Sequence, residues 1–94
     1  MREYELLVLG KGSLSDTEQK NLTADIEKVV SEGKGNVEKR EDWGKRGLAY
    51  SLKKQKEGFY TLFHFVAPEE FPKKLEKKLS INENILRYLL SREE

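Results

Sequence analysis

Apolar positions along this chain follow two rhythms, compact or alternating runs and repeats every three or four residues. Tyr4-Glu-Leu-Leu-Val-Leu9 is apolar, rich in strand formers and stopped by Gly10 and Gly12, which predicts a first strand. Ser15 stands three residues before Glu18, the spacing of a capping box, and Leu22, Ile26, Val29 and Val30 then recur at helical intervals. This predicts an amphipathic helix ending near Gly33 or Gly35. Val37 to Leu52 reads as a long, charged, extended segment in which Gly44 and Gly47 suggest bulges or a sharp twist, and a turn follows over Lys54 to Gly58. Phe59-Tyr-Thr-Leu-Phe-His-Phe-Val66 is dense in aromatic and branched residues and is the clearest strand. Pro68 and Pro72 bracket a helix start. Phe71, Leu75 and Leu79 then repeat every four residues, with Lys73, Lys74, Lys77 and Lys78 on the other side. Asn82 and Asn84 mark a turn before a last strand, Ile85 to Leu90.

The order β-α-β-β-α-β predicts an α+β fold of the ferredoxin-like, split β-α-β kind, a four-stranded antiparallel sheet with two helices on one face. Right-handed crossovers put both helices on the same side, so the other sheet face has no helix to cover it. Alternation sends Leu6, Val8, Phe59, Phe63 and Phe65 under the helices and turns Leu7, Leu9, Tyr60, Leu62 and His64 outward. Apolar side chains gathered on an uncovered face mark a partner site more often than chance, against the plainer reading of an ordinary exposed sheet.

Composition narrows the class. A chain of 94 residues has enough apolar surface for one core, so residues 1–94 read as a single domain. Hydrophobic residues make up 36% and charged residues 37%, too apolar for disorder and too polar for a membrane span. No secretion signal is visible, and without cysteine there is no disulfide framework, so the cytoplasm is the expected location. The net charge of +1 is unevenly spread. Residues 1–33 hold four basic and seven acidic side chains, residues 34–58 eight and four, and residues 59–94 six and six.

Catalytic chemistry finds no support. His64 is the only histidine and stands between Phe63 and Phe65, with no candidate for a triad nearby in the sequence, and one imidazole with scattered carboxylates does not spell a metal site. Gly10-Lys-Gly-Ser13 lacks the glycine of a phosphate loop, because Glu5 occupies that position, and lacks that of a dinucleotide fingerprint, because Ser15 does. Glu69-Glu70 reads as helix N-terminal charge and Glu93-Glu94 as a solvated tail. We therefore expect no catalytic residue, no metal, no cofactor and no small-molecule substrate. Residues 38–50 are more informative. Lys39, Arg40, Lys45 and Arg46, with Lys54 in the following turn, supply positive charge, while Trp43 and Tyr50 supply flat surfaces that stack on bases or ribose. A charged edge strand that resists aggregation would contain many of the same residues.

In the same stretch, Trp43-Gly-Lys-Arg-Gly-Leu-Ala-Tyr50 resembles a segment of the bacterial small-subunit ribosomal protein S6 family. Arg2-Glu-Tyr-Glu5, Gly35-Asn-Val-Glu-Lys39, Gly58-Phe-Tyr60, and Asn84 with Arg87 match it too, in the same order and spacing. The resemblance implies a ferredoxin-like, non-catalytic component of the small ribosomal subunit. It also implies binding to the central domain of the small-subunit ribosomal RNA together with ribosomal protein S18. Carried onto this chain, it sets Arg2 and Tyr4 beside RNA, and with them Arg46 and Arg87 of the second and last strands. Lys45, Tyr50 and Lys54 complete the expected RNA-binding set. The outward residues Leu7, Leu9, Tyr60, Leu62, His64 and Leu89 form the expected face for the partner protein. Two other tasks remain compatible with such a fold: a protein-only adaptor or ligand-sensing domain, and a small acylphosphatase-like hydrolase, which would want an arginine where Lys11 stands.

Overall fold

The computed structural model describes residues 1–52 and 54–92, with the side chain of Leu52 left aside. Its elements are β1 (Arg2–Lys11), α1 (Asp16–Glu32), β2 (Asn36–Leu52), β3 (Gln55–Ala67), α2 (Phe71–Ser80) and β4 (Ile85–Arg92). The strands form one antiparallel sheet in the order β2-β3-β1-β4, the ferredoxin-like arrangement that the element order implied. β1 lies inside the sheet, pairing Leu7 with Leu62 of β3 on one side and with Leu89 of β4 on the other.

Local chemistry sets the boundaries. Ser15 caps α1: its Oγ accepts from the Glu18 amide at 3.1 Å, and the Glu18 carboxylate accepts from the Ser15 amide at 2.9 Å. At the other end Gly33 donates its amide to the Val29 carbonyl at 3.0 Å. α2 has no side-chain cap and begins with Pro72 in its first turn. Glu69, just ahead of the α2 start, also meets the Arg2 guanidinium at 2.9 Å. The expected turn over Lys54 to Gly58 is also corrected. Pairing continues to Leu52 with Gln55, and Lys54 takes a left-handed conformation at φ 65, so most of that stretch belongs to β3.

The helix side of the sheet holds the core. Leu6, Val8, Phe63 and Phe65 meet Leu22, Ile26 and Val30 of α1 and Phe71, Leu75 and Leu79 of α2, all buried. Phe65 stacks on Tyr4 at 5.4 Å between ring centres and meets Phe71 edge-on at 6.1 Å. Phe59, expected among them, packs only partly against this cluster.

Two measurements test this account. Phe63 is fully buried, so Phe63→Ala should cost about 3–5 kcal/mol of stability in urea unfolding. The Ser15 amide and hydroxyl hold the Glu18 carboxyl below its ordinary pKa. A group whose folded pKa is lowered stabilises above its unfolded pKa and loses that contribution as pH falls through the folded one. The urea midpoint of Glu18→Ala should therefore sit below the parent's at neutral pH and approach it in acid.

Candidate functional site

The helix-free face is less bare than alternation implied. Its middle row runs Leu89, Leu7, Leu62 and Glu41 across β4, β1, β3 and β2. The next row contains Arg87, Leu9 and Tyr60, beside Gly44 of β2. β2 is far longer than β4 and does not stay flat. Its pairing with β3 slips between Asp42 and Gly44 and again between Gly47 and Leu52, and Gly44 takes φ 81, which a side chain would resist. The end of β2 consequently bends back over the face. Tyr50 Oη accepts a hydrogen bond from Arg87 Nη1 at 2.8 Å, joining the two strands that form opposite edges of the sheet.

Under this contact is an apolar cleft of ≈ 480 Å³, with Leu7, Leu9, Leu48, Ala49, Tyr60 and Leu89 among its lining. Leu9 is 4% exposed, which corrects the expectation of an open position. It points away from the helices as alternation requires, and the bent strand covers it. Gly58 makes room, since a Cβ there would run into the Leu9 side chain and the Gly10 carbonyl. Leu89, at 63% exposed, remains open, and Leu7, Tyr60 and Leu62 are half-buried. Leu48 and Ala49 were missed as cleft residues. Their only signal was an apolar pair inside a charged stretch, and its meaning depends on the bend.

The expected RNA-facing residues fall into two groups. Tyr4, expected beside RNA, is 5% exposed with its ring in the helix-side core; a residue alternating with Leu6 and Val8 shares their side. Arg2 is exposed and paired with Glu69, at the end of the sheet where β1 pairs with Ala67. Lys45, Arg46, Tyr50, Lys54 and Arg87 lie toward the opposite end, around the bent segment of β2. Lys45 reaches Glu57 at 3.7 Å and lies over the Phe59 ring at 5.3 Å. Arg40 is taken up by Glu27 of α1 at 3.1 Å and Asp42 at 3.5 Å. Arg46, Lys54 and Arg87 have no acidic partner among the described residues. His64 is on the open face beyond the leucine row, its Nε2 3.4 Å from Glu41 and 3.7 Å from Glu5. Trp43, 42% exposed, leans on Tyr60 with ring centres 6.2 Å apart.

Comparison with known proteins gives one consistent family. The model of the family described as ribosomal protein S6 matches residues 3–92. The small ribosomal subunit protein bS6 of Clostridium perfringens is 38% identical over 94 residues, covering 100% of this chain and 99% of the relative. The protein of the same name from Pseudarthrobacter chlorophenolicus is 37% identical, covering 100% of this chain and 93% of its own. Among solved structures, the crystal structure of 30S ribosomal protein S6 from Thermotoga maritima superposes with a TM-score of 0.92 at 30% identity, covering 98% of this chain and 87% of that one.

The Tyr50–Arg87 contact should hold the bent strand without holding the fold. Tyr50→Phe should speed amide hydrogen exchange at Leu48 to Tyr50, while the urea midpoint shifts by no more than about 0.5 kcal/mol equivalent, as for an exposed substitution. Unchanged exchange at those amides would show that the hydroxyl does not fasten the strand.

Proposed function

The chain belongs to the ribosomal protein S6 family, a family of small-subunit ribosomal proteins in the cytoplasm, and on that premise we propose that it works as a structural component binding two partners at once. One partner is the central domain of the small-subunit ribosomal RNA. The other is ribosomal protein S18. On this reading residues 1–94 act as a single domain with no catalytic step, cofactor or metal.

The observation that carries the proposal is the adjacency of two unlike surfaces. Arg46, Lys54 and Arg87, without acidic partners among the described residues, surround the end of β2, while the leucine row and cleft lie directly beneath it. Cations left unneutralised attract phosphates. An apolar cleft with an exposed leucine at its margin suits an apolar side chain from a second protein. A chain of net charge +1 has little general attraction for RNA, so the partner's own positive charge should matter.

Filter binding of a central-domain RNA fragment across a salt series, with and without S18, tests both halves. The pair should bind more tightly than either protein alone, with affinity falling steeply as salt rises. Arg46→Ala should weaken the pair's RNA binding and reduce the slope by about one. Leu7→Asp should instead abolish association with S18. Binding by the pair that is absent or insensitive to salt would end the proposal.

A further inference from the structure

We infer that Trp43 and Tyr60 form a stacking platform for an unpaired nucleobase, with Arg46 taking the phosphate attached to it. The inference rests on the RNA-binding reading above and reassigns Tyr60, which alternation had given to the protein partner.

Trp43, Arg46, Gly47 and Tyr60 line one shallow depression on the open side of the β2–β3 pair, outside the leucine cleft except for the shared Tyr60. The pairing of Gly44 with Tyr60 sets the two aromatic residues side by side. Their rings are tilted by 32° with centres 6.2 Å apart, so they form a shallow angled surface and not a closed stack. Trp43 remains 42% exposed, which leaves much of the indole uncovered. At Gly47 nothing lies within 4 Å of where a Cβ would stand, so the floor is open for a ribose and its phosphate to come close to the backbone.

Charge identifies the occupant. Arg40 and Lys45, the two cations nearest Trp43 in sequence apart from Arg46, are matched by Glu27, Asp42 and Glu57, whereas Arg46 has no acidic partner among the described residues. A flat aromatic surface beside a single unneutralised guanidinium fits a nucleotide, which brings a π-face and an anion together. A base in a duplex has both faces covered by its neighbours, so the platform requires a looped-out or single-stranded one.

Trp43 is the only tryptophan, so its emission reports on the site directly. The experiment titrates a central-domain RNA fragment into the full chain bound to S18, with the Trp43→Phe chain as the blank for any emission from S18. Emission should be quenched in step with RNA binding. Trp43→Phe should bind nearly as well as the parent, and Trp43→Ala about five- to a hundredfold more weakly. RNA binding at full affinity by Trp43→Ala, with no quenching in the parent, would remove the platform and leave the proposed function standing. Quenching by S18 alone, with no further change on adding RNA, would make this a protein contact and overturn the inference as well. Failure of the parent pair to bind RNA would overturn the proposed function together with it.

Discussion

Two helices cover only one face of a four-stranded sheet, and the rest of this molecule is arranged around that shortage. Right-handed connections force α1 and α2 onto the same side, where Phe63, Phe65, Leu6, Val30 and Leu75 are shut away from water. Each such side chain contributes roughly 1.5–3 kcal/mol by leaving solvent, so this side supplies most of the cohesion. The other side must either face water or find cover. Here it does some of each. The overlong β2 folds back to shelter Leu9, while Leu89 and part of the leucine row stay in reach of a second molecule.

The charges follow a related logic. Arg2, Arg40 and Lys45 are matched by acids, Arg2 by Glu69 and Lys45 by Glu57 from other strands and loops, and Arg40 by both Glu27 and its strand neighbour Asp42. Exposed pairs of this kind contribute about 0–1 kcal/mol each, so their importance lies in what they cancel. Once they are discounted, Arg46 and Lys54 stand without an acidic partner among the described residues around the bent end of β2, with Arg87 of β4 beside them. A nearly neutral protein thereby keeps a few unmatched cations beside the apolar cleft under β2.

Much of this was legible in the sequence, and the exceptions have physical causes. Helix periods, the capping box at Ser15 and the aromatic run of β3 gave the element order, and the order gave the topology. Alternation assigned the sides of Leu6, Leu7, Phe63 and Leu62, because a strand period of two leaves no freedom once one side is buried. It could not give the depth of Leu9, since that depends on a bend produced by two slips of register. Resemblance offered Tyr4 to RNA, but parity with Leu6 and Val8 puts its ring in the core. The cleft gathers residues that the sequence had divided between two ligands: Tyr50 and Arg87 on one list, Leu7, Leu9 and Leu89 on the other. Chain order contains no hint that the outermost strands touch.

That touch also bears on how the protein comes to be made. β1 precedes the other described strands in chain order, yet one of its two neighbours is β4, which follows them all. Arg87, which fastens the tip of β2, is on that same late strand. A nascent chain that has already paired β1 with β3 still offers an open strand edge and a loose hairpin until β4 arrives. Until β4 docks, neither the leucine row nor the cleft beneath β2 is complete, because Leu89 and Arg87 belong to both this strand and that surface.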